Sequence, residues 1–141
     1  MTDPGSFPAL ADFAGTWHID RRIDDQLGPP GWFTGTARFE PVAGHFAYHE
    51  QGLLHLGDGP AFAAERRYFW RADGEEIAVD FADGRPFHRF DPSHPVVTAE
   101  HDCAPDFYRV SYDIADWPAW QAAWQVRGPR KNYGMVSAYR R

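Results

Sequence analysis

The feature that most constrains this chain is its punctuation. Runs of β-branched and aromatic residues recur about every 12 to 15 positions, and turn formers close each one. The runs lie at 15–24, 32–41, 45–56, 61–72, 76–81, 86–91, 96–103, 107–114, 120–127 and 133–141. The breaks are explicit: Gly28-Pro29-Pro30-Gly31, Gly57-Asp58-Gly59-Pro60, Asp73-Gly74, Asp83-Gly84 and Gly128-Pro129. Asp-Gly between two β-prone runs signals a hairpin, because the glycine accepts the positive φ of a type I′ turn. Consecutive strands are therefore expected to pair antiparallel.

Two segments compete with that pattern. Residues 8–13 are expected to form a short N-terminal helix over one end of the fold. Trp117, Trp120 and Trp124 fall at near-helical spacing, yet Trp120, Ala122 and Trp124 also share one strand face. The reading is a helical turn at 116–119 that leads into a strand.

Ten short antiparallel strands can stack as a sandwich or close on themselves. Closure removes the exposed edges that template aggregation, and an up-and-down order of hairpins is the simplest way to close. The expected fold is all-β: a single domain over residues 1–141, an antiparallel up-and-down barrel of about 8–10 strands with room for a ligand. A chain of 141 residues buries roughly two-thirds of its surface on folding, so it needs no covalent staple. Cys103 is the single cysteine, which excludes an internal disulfide framework and a four-cysteine zinc module. The start, MTDPGSFPAL, has neither a basic nor an apolar leader region, and no stretch of bilayer length is free of charge. A cytoplasmic protein without a membrane partner is expected. The formal charge of −6 argues against bulk attraction to nucleic acid.

Gly15-Thr16-Trp17 opens the first long run and Arg140-Arg141 ends the last. This arrangement resembles the Gly-x-Trp and terminal arginine of the calycins, the lipocalin and fatty-acid-binding barrels. The resemblance implies that Trp17 closes the barrel base and that a terminal arginine packs on its ring. Asp83-Gly84-Arg85-Pro86-Phe87-His88, His101-Asp102-Cys103-x-Pro105-Asp106-x-Tyr108 and Trp124-x-Val126-x-Gly128-Pro129-Arg130-Lys131-x-Tyr133 are similar to an uncharacterised bacterial family, a domain of unknown function. That resemblance implies a calycin-like barrel and no particular activity. In the related nitrobindins the haem-ligating histidine lies near the C-terminus, whereas the last histidine here is His101, so no cofactor is expected.

Strand alternation sorts the polar side chains. In Phe62-x-Ala64-x-Arg66-x-Tyr68-x-Trp70 the apolar parity carries Arg66 inward; the same rule groups Phe46 with Tyr48 and Glu50, His101 with Cys103, and Tyr108 with Tyr112. Such a lumen admits two readings. Glu50 and Arg66 form an internal network that only maintains the barrel, or Glu50, Arg66, Tyr68, His101, Tyr108 and Tyr112 orient a ligand. Arg85 and His88, beside a hairpin turn, are candidates for an anion clamp, with His88 titrating near neutral pH. Arg130, Lys131 and Tyr133 are a second such grip, or else a solvated hairpin tip. His101 and Cys103 are spaced as two metal ligands, but the remaining ligands of a closed site are missing, and no metal is expected.

Three functions compete: a barrel binding a small apolar or aromatic molecule with an acidic head group; an enzyme moving protons on such an acid, with Glu50 as base; and an interaction module anchored by Trp32, Trp117 and Trp120. The protein is expected to act as a monomer or homodimer. A cavity of roughly 300 Å³ or more favours the first two. A Glu50 that titrates below its ordinary value favours a structural role.

Overall fold

The computed structural model describes residues 7–141. A 3-10 turn, Leu10–Phe13, precedes ten strands: β1 (Gly15–Asp25), β2 (Gly31–Val42), β3 (His45–Leu56), β4 (Phe62–Asp73), β5 (Glu76–Phe81), β6 (Pro86–Phe90), β7 (Val96–Cys103), β8 (Asp106–Asp113), β9 (Trp120–Gly128) and β10 (Lys131–Arg140). The expected N-terminal helix is this single turn. No helix among the described residues is long and apolar enough to cross a membrane.

All ten strands form one antiparallel sheet in the order β6-β5-β4-β3-β2-β1-β10-β9-β8-β7. Every chain-adjacent pair of strands is a hairpin except β6 and β7, and β1 pairs with β10 to bring the two halves together. The result is a nearly closed barrel with one seam, between β6 and β7. The turn chemistry behaves as the sequence demands at two hairpins: Gly74 and Gly84, of the Asp73-Gly74 and Asp83-Gly84 steps, have φ of 62° and 90°. On β2 and β3, Gly35 and Gly52 face each other, and a Cβ on either would strike the backbone of the other strand. The two backbones approach closely there because no side chain stands between the strands.

One end is capped. Trp17 is fully buried, its Nε1 donates to the Phe13 carbonyl at 2.9 Å, and the Arg141 guanidinium lies 4.1 Å from the centre of its ring. Phe13 plugs this end against Trp120, Trp70 and Phe39, with ring centres 5.2, 5.5 and 5.7 Å away. Trp117, in the turn before β9, packs on Phe13 at 4.8 Å. This overturns the tryptophan-anchored surface, because Trp120 is buried and Trp117 is half-buried in the plug; Trp32 alone of the three is exposed, stacked on His55 at 4.5 Å.

The opposite end is the mouth, framed by the β1–β2, β3–β4, β5–β6, β7–β8 and β9–β10 connections. Leu54, Tyr68, Phe81, His101, Tyr108, Trp124 and Tyr133 are half-buried around it. Across the seam the two edges meet through side chains: Phe87 contacts His101 at 5.4 Å and Phe90 stacks on Tyr112 at 4.1 Å. We expect amide hydrogen exchange to be faster in β6 and β7 than in β1, β2 and β10, since each seam strand has a ladder on one side only. Equal protection of all five strands, measured by exchange mass spectrometry, would mean that the seam is hydrogen-bonded.

Candidate functional site

Strand alternation drives one charge of each sign into the lumen. On β1 the inward parity is Trp17, Ile19, Arg21 and Ile23, and Arg21 is only 7% exposed. Its carboxylate partner is Glu50 on β3, 2% exposed. Between them on β2 lie Gly35 and Ala37, too small to block the guanidinium from reaching across. The pair is bidentate: Nη1 donates to Glu50 Oε2 at 2.6 Å and Nη2 to Oε1 at 3.0 Å. Arg21 Nε donates to the Ser137 hydroxyl at 2.7 Å, and the Tyr48 hydroxyl donates to Glu50 Oε1 at 2.6 Å while lying 2.9 Å from the Tyr139 hydroxyl. Three strands, β1, β3 and β10, are thereby tied through the lumen, and both charges are satisfied.

The titration behaviour follows from this geometry. Burial alone would raise the Glu50 carboxyl, but the hydrogen bonds and charge of Arg21 and the Tyr48 hydroxyl hold it below its ordinary value. Burial likewise opposes the charge on Arg21, and Glu50 more than compensates, so its pKa is raised. Tyr139 is pushed up to about 12, mainly by burial and then by the Glu50 charge. Glu50 is thus a fixed carboxylate engaged on both oxygens, which weighs against a role as general base. The internal network exists, but its arginine is Arg21; Arg66, directly opposite Glu50 in the β3–β4 register, is exposed at the mouth.

β6 carries the second departure. The register shifts between Val79 and Asp80, so that Val79 pairs with His88 while Asp80 pairs with Pro86. Phe87 is the extra residue of this bulge, and both Phe87 and His88 are buried. His88 Nε2 lies 2.7 Å from the Tyr112 hydroxyl. Burial, and secondarily the charge of His101, lower its pKa to about 3. His88 is therefore not a neutral-pH switch at the surface, since desolvation keeps the imidazole uncharged.

The other candidates divide by place. Arg66, Tyr68, Tyr108 and Tyr133 converge on the mouth: burial raises the Tyr133 phenol, while the nearby charges of Arg66 and Lys131 oppose that rise. Lys131 is bound to Asp106 at 3.0 Å and to the Tyr108 hydroxyl at 3.4 Å, so the grip expected of Arg130, Lys131 and Tyr133 has its lysine already engaged; Arg130 is exposed at the turn. Arg85 is held by Asp83 at 2.7 Å, with its guanidinium 5.6 Å from the Phe81 ring centre, rather than clamped with His88. His101 sits at the seam, and Cys103 is exposed. Among the described residues Arg66 makes no direct ion pair, although its charge helps to lower the carboxyl of its cross-strand neighbour Glu50.

The lumen itself is nearly full. Its cavity is about 30 Å³, lined among others by Arg21, Glu50, Arg66, Tyr68, Trp70, His88 and Trp124. This falls far short of the roughly 300 Å³ that would favour an enclosed ligand, because the aromatic side chains and the ion pair fill the barrel. Sequence reasoning passed over Arg21, Ser137, Tyr139 and Trp70. The signal for Arg21 was present, since it is the one charge set between Ile19 and Ile23 on the apolar parity of β1.

The family of unknown function DUF6314 matches residues 13–141, and the chain belongs to it. No curated protein matches the sequence. Among solved structures, the chain is similar to the S-type phycobiliprotein lyase CPES from Guillardia theta. The TM-score is 0.68 at 7% identity, covering 94% of this chain and 89% of the lyase. It is also similar to a protein of unknown function from the DUF3598 family of Nostoc punctiforme PCC 73102, with a TM-score of 0.58 at 10% identity, covering 98% of this chain and 51% of that one. At such identities the shared property is the fold.

Two measurements test the lumen chemistry. Glu50→Met or Arg21→Met alone is expected to cost about 3–5 kcal/mol in urea unfolding, and the double variant to regain part of that loss, because an unpaired buried charge costs more than an absent pair. Strictly additive losses would mean that the two charges are not coupled. His88, with its folded pKa depressed from 6.5 to about 3, contributes stability that is present above pH 6.5 and lost as pH falls toward 3. The wild-type Tm is therefore expected to drop between pH 6.5 and 4 more steeply than that of His88→Phe; parallel profiles would place the acid sensitivity elsewhere.

Proposed function

We propose that this barrel binds a small apolar or aromatic molecule carrying an acidic group, seated at the mouth with its acid on Arg66. The observation that carries this reading is Arg66 itself. It stands on lumen parity without an ion pair among the described residues, while Arg21, Arg85 and Lys131 each have a carboxylate. Around it Tyr68, Tyr108, Trp124 and Tyr133 offer half-buried ring faces, the kind of wall that takes an apolar body while a few polar groups fix its orientation. The likeness to a lyase of barrel fold supports a ligand-handling barrel in general terms. With about 30 Å³ inside, the ligand's bulk rests on the mouth rather than being engulfed.

Native mass spectrometry of the protein from its own type of host, before and after denaturation, tests for a retained molecule. With 2-naphthoate as probe, quenching of tryptophan fluorescence reads affinity. Arg66→Ala is expected to weaken binding by roughly 10- to 100-fold, the worth of a charge-assisted hydrogen bond, with Tm unchanged. Arg66→Lys retains part of it. Equal affinity in wild type and Arg66→Ala would remove Arg66 as the anchor.

A further inference from the structure

The large apolar side chains left exposed among the described residues are not scattered. Of Leu27, Trp32, Val42, Leu53, Leu56, Phe62 and Val96, all but Val42 and Val96 stand together, at the mouth end of β2, β3 and β4 and in the β1–β2 loop. They occupy both faces of the sheet. Leu56 and Phe62 are on the lumen face, Trp32 and Leu53 are on the outer face, and Leu27, 62% exposed, stands in the loop above them. Half-buried Leu54 pairs with Phe62 and extends the lumen side. A contiguous exposed apolar patch marks a contact surface, whereas single apolar side chains on a surface need no explanation.

The tip is held in this form by its own bonds. Gly57 N–H donates to the Pro30 carbonyl at 2.7 Å, so the β1–β2 and β3–β4 loops grip each other, and Gln26 N–H ties the first loop to the Asn132 carbonyl of β10 at 2.9 Å. Leu27 is set outward by a turn in which its N–H donates to Asp25 Oδ1 at 2.9 Å. Pro29, Pro30 and Pro60, in the same loops, fix φ and carry no N–H that needs a partner. What covers this tip must reach both of its faces. A ligand at the mouth lies against the lumen face alone, and a flat protein partner covers one face of a sheet; neither reaches Trp32 and Leu53 together with Leu56 and Phe62. A second copy docked tip to tip would set Asp24, Asp25 and Asp58 against their own like charges. A fluid apolar phase surrounds an inserted edge on both sides.

We propose that this tip docks on the surface of a lipid bilayer with uncharged headgroups, Leu27, Trp32, Leu56 and Phe62 entering the boundary between headgroups and acyl chains. The expectation of no membrane partner rested on the lack of a spanning stretch, and a tip that rests in the interface needs none. The charge at the tip selects the lipid. Asp24, Asp25 and Asp58 are repelled by an anionic leaflet, against Arg22 in register with Trp32; Arg130 and Lys131 belong to the next hairpin, and Lys131 is held by Asp106 at 3.0 Å. The same carboxylates stay hydrated and so limit the depth of insertion. Trp32 then lies at headgroup level, where an indole has both an apolar body and a polar edge to place. The proposal does not depend on Arg66 or on any ligand of the mouth.

The test is co-sedimentation of the full chain with phosphatidylcholine vesicles and, in parallel, with phosphatidylserine vesicles at low salt. Half-binding to phosphatidylcholine is expected on the order of 0.1–1 mM lipid, no tighter than a single acyl chain gives, and weaker binding to phosphatidylserine. Leu27→Ser and Phe62→Ser should each weaken it roughly tenfold with Tm unchanged, since both side chains are exposed. Val96→Ser, equally exposed but at the other end of the barrel, should bind as wild type. Phosphatidylcholine brominated on its acyl chains should quench tryptophan fluorescence in wild type, and the quenching should be largely lost in Trp32→Phe, which removes the one exposed tryptophan. No sedimentation with phosphatidylcholine, tighter binding to phosphatidylserine, or equal losses in Val96→Ser and Leu27→Ser would each overturn the docking tip. So would a lipid-free dimer, seen by sedimentation equilibrium, that Leu27→Ser dissociates, because the patch would then be covered by a second copy.

Discussion

The Arg21–Glu50 pair is the interaction on which the lumen is organised. Taking two charges out of water costs several kcal/mol per ion, and only close geometry with every remaining donor and acceptor engaged returns it. Here the guanidinium is bidentate on the carboxylate and also bound to Ser137, and the carboxylate takes a further bond from Tyr48. Because those groups come from β1, β3 and β10, the pair specifies which strands face each other across the barrel. It also occupies the space that a ligand would otherwise fill. By satisfying Glu50 from β1, it leaves Arg66, the cross-strand neighbour of Glu50, without a carboxylate. One structural ion pair thus accounts both for a nearly full lumen and for a cation left at its mouth.

The β6–β7 seam is the complementary constraint. A barrel whose hydrogen-bond ladder does not close must be held by side chains there, and aromatic faces serve because they bury much area with few torsions to order. The bulge at Val79/Asp80 supplies them by turning both Phe87 and His88 inward, whereas regular alternation would have presented one of the two to solvent. Phe87 then meets His101, and His88 meets Tyr112, across the break in the ladder. The same bulge brings an imidazole into a place where it cannot be charged.

These two features also mark where the sequence was legible and where it was not. The strands could be read nearly to the residue, because each is bounded by a Gly, Pro or Asp-Gly step whose backbone requirement is local. The contact of Trp17 with a terminal arginine was legible only through the resemblance of Gly15-Thr16-Trp17 and Arg140-Arg141 to the calycins. Alternation correctly turned Glu50, Tyr48, Tyr68 and Tyr112 inward. It does not say which inward groups meet, since that depends on contacts across strands distant in order. Glu50 was therefore matched with Arg66 by adjacency, while Arg21 reached it over Gly35 and Ala37 on the intervening strand. His88 was misplaced because a bulge is a one-residue event with no strong local signature. The cavity volume was not legible at all, as it is a small difference between the barrel's interior and the side chains filling it.

Barrels that share 7% and 10% identity with this chain keep its fold, so the architecture demands little of the particular sequence. The lumen residues are under no such common requirement, so what distinguishes this protein must be sought in them. Of its inward polar groups, Arg21, Glu50, Ser137, Tyr48 and Tyr139 satisfy one another. Among the described residues Arg66 makes no ion pair, and Trp70 Nε1, Trp120 Nε1 and His88 Nδ1 have no hydrogen-bond partner. The lumen's charged and hydroxyl groups thus close on one another, while its ring nitrogens are sealed in by packing rather than paired. Arg66 is on lumen parity, exposed and without an ion pair among the described residues, so the charge that the barrel leaves uncommitted stands at its mouth rather than in its interior.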